Sequence, residues 1–219
     1  MASVPVGRTM AVVRLLTALA MAGSIVWQVT DRVANNVFRP GEYFAYFTID
    51  TSMVAAVALA VAAYFAWTGR PETKVLTIVR LSVVTYALVV SIVYNALLRG
   101  MPPAAVDGDY KWPQAPNEVL HVWAAVFILL DWLISQPLVR LRIRAIFWTL
   151  LFPLAWAVFS IVRGIITGWW PYWFIDPNDP GGIPQMVMYI VGIMVFMVVM
   201  AFLSLMLSRA THRLLVRNK

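Results

Sequence analysis

The sequence predicts an all-α membrane protein, a single bundle of six transmembrane helices. Of its 219 residues, 62% are hydrophobic and only 12% are charged, and the mean hydropathy is +0.79. An ordinary soluble domain is about 45–50% apolar and about 25% charged. Because so few charges cannot cover a water-facing surface, the composition excludes a soluble globular protein and a disordered chain. The absence of cysteine excludes a disulfide-stapled secreted domain and thiol redox chemistry.

Six stretches are long enough to cross the hydrocarbon core, which takes about 20 helical residues. Ala, Val, Leu, Ile, Met and Phe dominate them, without the alternation of a strand. The predicted spans are 9–28, 43–67, 75–98, 119–138, 145–168 and 183–208. The first continues to Trp27, past a signal-like Ala18-Leu19-Ala20, so we expect a retained helix. Pro153 predicts a kink in the fifth.

Basic residues are distributed unevenly between the two sides that six spans define. The side that holds both termini carries ten basic residues and one acid, and the opposite side carries four basic residues and seven acids. Basic loops remain in the cytoplasm. The asymmetry therefore predicts a plasma-membrane protein with both termini in the cytoplasm. It also accounts for the net charge of +7 without any nucleic-acid partner.

Five charged residues lie inside the predicted spans, where each costs about 2.5–3.5 kcal/mol on insertion scales and needs a partner. They are Arg14, Asp50, Arg80, Asp131 and Arg163. Counted from the span ends, Asp131 lies at the depth of Arg80 and Arg14. Asp50 lies at the depth of Arg163. We expect Asp131 to form a structural ion pair with Arg80 or Arg14. We expect Asp50 to pair with Arg163, nearer the outer face, either as a structural ion pair or as part of a site.

Thr48 and His121 lie near the depth of Asp50 and Arg163. At a rise of 1.5 Å per residue, Thr48 and His121 differ from each other in depth by only about 4–5 Å. A threonine hydroxyl becomes a nucleophile when a base such as neutral histidine removes its proton. The pair therefore predicts nucleophilic catalysis near the outer interface. Thr48 lies at helical spacing from Thr51 and Ser52, however, so interhelical hydrogen bonds remain an alternative. An interfacial position with no catalytic role remains an alternative for His121.

Several side chains near this level are candidates for orienting the pair or for contacting the substrate or an oxyanion. They are Asp50, Asn95, Asn117, Arg163, Trp170 and Tyr172. Neither a metal nor an organic cofactor is predicted. His121 and His212, the two histidines, lie on opposite sides, and no zinc-protease or nucleotide-binding motif is present.

Three motifs follow one another along the chain. They are Tyr46-Phe47-Thr48-Ile49-Asp50-Thr51 at the second span, Asn117 with His121 at the fourth, and Thr167-Gly168-Trp169-Trp170-Pro171-Tyr172-Trp173-Phe174 after the fifth. In this order, over about residues 10–208, the chain resembles the androgen-induced / androgen-dependent TFPI-regulating membrane hydrolases, especially their bacterial six-span branch. The resemblance implies a threonine hydrolase with Thr48 as nucleophile and His121 as catalytic histidine. Its animal members cleave the branching ester in fatty acid esters of hydroxy fatty acids.

The sequence therefore predicts a lipid-ester hydrolase whose partners are membrane lipids and a fatty-acyl ester substrate. Two other functions stay open at this point. A carrier would use Asp50, Arg163 and Asp131 as an intramembrane relay, and repeated halves with broken helices, which the sequence lacks, would favour it. A structural or assembly partner would need its buried polar residues only for folding.

Overall fold

The computed structural model describes residues 4–101, 107–135, 139 and 141–217, and over these residues it contains helices and no strand. The helices are α1 (Val4–Ala34), α2 (Pro40–Tyr43), α3 (Phe47–Thr68), α4 (Lys74–Val93), α5 (Gln114–Glu118), α6 (Ala124–Ile134), α7 (Ala145–Thr149), α8 (Leu151–Thr167) and α9 (Gly182–Arg217). A π-helical segment, Tyr94–Leu98, extends α4, and a second, Val119–Trp123, joins α5 to α6. A 3-10 turn covers Trp173–Ile175.

Six helical segments of the described chain are long and apolar enough to cross a membrane, so the predicted all-α, six-span architecture is confirmed. They are Gly7–Ala34, Phe47–Thr68, Lys74–Leu98, Gln114–Ile134, Ala145–Thr167 and Gly182–Thr211. The first and last are longer than predicted, because polar residues at their ends remain helical.

Two predicted span boundaries are wrong for local reasons. The second span begins at Phe47 and not at residue 43, because Pro40 starts the short helix α2 and the chain turns again after Tyr43. The fourth begins at Gln114 and not at residue 119, because α5 and the π-helical segment run directly into α6. It ends at Ile134, and predicted residues 136–138 lie outside the described part of the chain.

Helix α4 lies at the centre of the bundle and packs against α3, α6 and α9, while α1 lies along α3. Leu81, Val84 and Thr85 of α4 are fully buried. We call the end of the bundle near Arg8 and Arg209 the terminal end. The opposite end, with α2, Trp112 and the 168–181 connection, is the aromatic end.

The predicted kink at Pro153 is confirmed as a break between α7 and α8 at Leu150. Proline has no N–H, and its ring clashes with the carbonyl four residues earlier. That carbonyl belongs to Thr149, and it accepts a hydrogen bond of 2.7 Å from the Tyr86 hydroxyl of α4. The break therefore leaves no unpaired backbone carbonyl at this point, and it ties α7 to the central helix.

A buried network of charged side chains closes the terminal end. Asp131 of α6 accepts hydrogen bonds of 2.8 Å from Arg14 of α1 and from Arg80 of α4, so its predicted pairing is confirmed with both. Arg80 also donates to Glu72, at 2.6 and 2.8 Å, and Ser135 donates to Asp131 at 2.7 Å. Two carboxylates thus neutralise two guanidinium groups, and the network joins three helices.

Candidate active site

An apolar pocket of about 70 Å³ lies between α4, α8 and α9, beside the 168–181 connection. Its walls are formed by Phe47, Thr48, Val89, Val90, Val93, Leu98, Pro153, Trp156, Ala157, Tyr172, Phe174, Ile175, Ile190, Ile193, Met194 and Met197. The hydroxyl groups among these residues belong to Thr48 and Tyr172, and the indole N–H of Trp156 donates to the Ala45 carbonyl at 3.1 Å. The pocket therefore suits a hydrocarbon chain, with two hydroxyls at its wall.

Thr48 is the second residue of α3 and is buried, with 7% of its surface exposed. The helix begins here because the extended backbone of Tyr46 directs its carbonyl to the N–H groups of Ile49 and Asp50, at 3.0 and 3.2 Å. The first N–H groups of a helix have no acceptor within the helix. Thr48 thus lines the pocket at a point where a helix N-terminus carries a partial positive charge.

The Tyr172 phenol lies beside Thr48, where it interacts with the Thr48 side chain and with the backbone of Phe47 and Thr48. Burial raises the pKa of Tyr172, and its hydrogen bonding with Thr48 offsets only part of that rise. The phenol is therefore neutral at physiological pH. Its ring stacks on Phe174, with 5.1 Å between centroids and 4° between planes, which fixes its position.

His121 lies in the π-helical segment that joins α5 to α6, a rare helical form that is frequent at functional sites. Its Nδ1 is 2.8 Å from the Asn117 backbone oxygen, and its ring stacks on Tyr94 at 4.0 Å between centroids. The Asn117 side-chain amide donates to the Tyr94 hydroxyl at 2.8 Å. Because a carbonyl only accepts, Nδ1 carries the proton in neutral His121, and the lone pair is on Nε2.

No hydrogen bond joins Thr48 and His121 among the contacts of the described residues. Thr48 lines the pocket and His121 does not. The imidazole stacks on Tyr94, which follows the pocket residue Val93 in the chain but does not line the pocket itself. The proton-sharing contact that the sequence predicts is absent from this structure, and the catalytic role of the two residues stays a prediction.

The predicted pairing of Asp50 with Arg163 is wrong, since no ion pair joins these two residues, both of which the structure describes. Asp50 is half-buried in the first turn of α3. The Arg163 guanidinium is instead directed across the Trp169 ring, 4.3 Å from its centroid, and towards Gly41. Equal depth in the membrane did not imply facing sides of the helices.

Asn95 has local hydrogen-bond partners, whereas Trp170 packs locally and its buried indole N–H has no hydrogen-bond partner. Asn95 is exposed and bonds within its own helical segment, donating to the Ser91 carbonyl at 2.8 Å and accepting from Arg99 at 2.7 Å. The Trp170 indole packs on Gly164 of α8, where an added Cβ would lie 2.6 Å from ring carbons. Asn95 therefore has no contact with Thr48, and Trp170 holds the connection against α8.

Sequence reasoning missed a polar cluster at the aromatic end. Asp107 accepts from Arg32 at 3.5 Å and from Arg39, and the Tyr110 hydroxyl donates to Asp31 at 2.7 Å. The Arg32 guanidinium lies 3.8 Å from the centroid of a Trp112 ring. The signal in the sequence is the adjacency of Asp31 and Arg32 at the end of an apolar span.

Within the described residues, no group of three or more His, Cys, Asp or Glu side chains is arranged to hold a metal ion. Comparisons with models of known protein families, with curated proteins and with solved structures find no match to this chain.

Proposed function

We propose that the chain is an integral-membrane hydrolase of fatty-acyl esters, with Thr48 as nucleophile and His121 as general base and acid. The observation that carries the proposal is the position of Thr48. Thr48 lines an apolar pocket at the N-terminus of α3, and its side chain is in contact with a neutral phenol. A pocket of this kind holds a hydrocarbon chain with its carbonyl carbon next to the hydroxyl.

The reaction proceeds in two steps that use the same residues. The Thr48 oxygen attacks the ester carbonyl while Nε2 of His121 takes the hydroxyl proton, and the proton then passes to the departing alkoxide. This leaves an acyl-Thr48 ester and a free alcohol. Water, deprotonated by His121, hydrolyses the acyl-enzyme to a fatty acid and restores Thr48. The N-terminus of α3 and the Tyr172 hydroxyl are the candidates for stabilising the oxyanion.

Because Thr48 and His121 are not hydrogen-bonded in this structure, proton transfer requires a movement that brings the two side chains together. Hydrogen bonds between catalytic groups are often long without substrate and shorten in the complex. The tautomer of His121 supports its role, because Asn117 holds the proton on Nδ1 and leaves Nε2 as the base.

The carrier alternative has weaker support. Asp131 is bound by Arg14, Arg80 and Ser135 in the network at the terminal end, so its charge is already compensated. Asp50 and Arg163 do not pair with each other. The three residues thus give no continuous series of contacts that would move a proton or an ion.

A fluorophosphonate probe tests the proposed nucleophile on purified protein in nanodiscs, alongside hydrolysis of fatty-acyl esters of hydroxy fatty acids. Thr48→Val keeps the side-chain volume and removes the hydroxyl, and we expect it to lose labelling and at least about 10³-fold in turnover. His121→Gln should lose turnover similarly. The matched control is Thr51→Val, since the Thr51 hydroxyl donates to the Phe47 carbonyl at 2.7 Å. Labelling that survives in Thr48→Val contradicts the proposal.

We also propose that the aromatic end faces the cell exterior and that both termini are in the cytoplasm of a plasma-membrane protein, on the distribution of basic residues. The absence of native cysteine permits a direct test. An impermeant maleimide should label Asp109→Cys on intact cells, and Arg70→Cys only after permeabilisation. The reverse pattern contradicts this orientation.

A further inference from the structure

Arg163 is a cation without an anion at the aromatic end. One guanidinium nitrogen, Nη1, is buried and has no hydrogen-bond partner, and no described acid forms an ion pair with the side chain. The other terminal nitrogen, Nη2, lies 3.8 Å from the position that a Cβ on Gly41 would occupy. The Trp169 ring covers the group at 4.3 Å.

Two acids at the aromatic end, Glu42 and Asp107, are already paired with other arginines. Glu42, the neighbour of Gly41, accepts from Arg39 at 2.7 Å. Asp107 accepts from Arg32 and Arg39. A partly buried guanidinium within a membrane span is unfavourable without a polar partner, and an anion is the strongest such partner. Since no described acid pairs with Arg163, its guanidinium is available to an anionic ligand.

The same face of α8 connects Arg163 to the apolar pocket. Trp156 lines the pocket, and Ser160 and Arg163 follow it at intervals of four and three residues, which places all three on one side of the helix. Ser160 is 2% exposed, and its hydroxyl also has no partner. At 1.5 Å per residue, Arg163 lies about 10 Å further along the axis than Trp156.

Along α8, the apolar pocket is followed by the buried hydroxyl of Ser160 and then by the guanidinium of Arg163. This order suits an amphiphile with an apolar chain and an anionic end. We propose that Arg163 binds the carboxylate of a long-chain fatty acid, or of an ester that carries a free carboxyl group, whose chain enters the pocket. The guanidinium fork matches a planar carboxylate through two parallel hydrogen bonds. A phospholipid phosphate offers related chemistry and is the other source that the experiment must distinguish.

Binding of tritiated oleic acid to the purified protein in phosphatidylcholine nanodiscs tests the proposal. Unlabelled oleate, methyl oleate and phosphatidylglycerol serve as competitors. Oleate should compete at about tenfold lower concentration than its uncharged methyl ester, the loss expected for one charged hydrogen-bonded contact. The preference for oleate over methyl oleate should vanish in Arg163→Gln and persist in part in Arg163→Lys. It should be unchanged in the control Arg142→Gln, which removes an exposed arginine at the terminal end.

Three outcomes overturn the proposal. They are equal competition by oleate and methyl oleate in the wild type, an unchanged preference in Arg163→Gln, and displacement of oleate by phosphatidylglycerol that itself depends on Arg163. The comparison with Arg142→Gln corrects for partition of the competitors into the lipid. Oleate contains no ester, so binding and hydrolysis fail independently, and the result separates this inference from the proposed function.

Discussion

The chemistry of the candidate site depends on how single side chains are held. Asn117 fixes the tautomer of His121 through its backbone oxygen and holds Tyr94, the stacking partner, through its side chain. Tyr172 is held against Thr48 by its stacking on Phe174. Each predicted catalytic group therefore has a partner that restricts its orientation, which is a requirement for efficient catalysis.

Tyr172→Phe keeps the stacked ring and removes the hydroxyl. It should lower turnover about tenfold at pH 7, the effect of one lost hydrogen bond at the reacting group.

Burial raises the pKa of Tyr172 above that of an unfolded tyrosine, about 10. Its contribution to stability is therefore complete below pH 10 and is lost as the pH rises towards the folded-state pKa. The variant should lose less thermal stability than the wild type between pH 9 and pH 11.

Part of the loss of thermal stability at alkaline pH should remain in Tyr172→Phe, because burial also raises the pKa values of Tyr43 and Tyr46. The control is Tyr64→Phe, which changes a 51% exposed tyrosine and should leave turnover unchanged. Equal turnover of Tyr172→Phe and wild type would remove Tyr172 from the proposed mechanism.

At the scale of the helices, small local features set where each element begins, ends and packs. Pro153 breaks the fifth span, and Tyr86 binds the carbonyl that the break releases. Gly164 leaves room for the Trp170 ring against α8. Both features determine how the 168–181 connection and α8 meet at the pocket.

Gly164→Ala should destabilise the protein by about 1–3 kcal/mol, the usual cost of forcing an extra methyl group into a packed contact. Its Cβ would lie 2.6 Å from the Trp170 ring. The measurement is the thermal unfolding midpoint in detergent. Gly192→Ala in α9 is the matched control, since an added Cβ there meets no atom within 4 Å. The prediction fails if the two substitutions have equal effects.

The six spans could be predicted because about 20 apolar residues must stay helical to cross a membrane. Their ends could not, because Pro40 and the π-helical segment at Val119–Trp123 act through local hydrogen bonds that hydropathy does not report. Depth along a span predicted the pairing of Asp131 with Arg14 and Arg80. It failed for Asp50 and Arg163, since depth carries no information on which side of a helix a residue lies.

Considered as a whole, the molecule has two ends with different roles. The terminal end is closed by charges that compensate one another across α1, α4 and α6. The aromatic end contains the pocket, the stacked rings and an arginine with an unpaired nitrogen. The aromatic end also contains the Asp107 ion pairs, so its available polar groups lie beside structural ones.

Asp131→Asn should destabilise the bundle by about 3–5 kcal/mol, because it leaves Arg14 and Arg80 with one carboxylate between them. We expect a lower unfolding midpoint, with normal fluorophosphonate labelling of the fraction that remains folded. Asp109→Asn, an exposed acid at the aromatic end, is the control. Loss of labelling in folded Asp131→Asn would mean that the network takes part in the reaction.

In the proposed reaction the Thr48 oxygen forms the covalent intermediate. Mass spectrometry of the peptides obtained after reaction of the wild type with the fluorophosphonate probe identifies the residue that is modified. We expect a single adduct on Thr48, absent when His121 is replaced by glutamine. An adduct on Thr51, Ser52 or any other residue, or none at all, would contradict it.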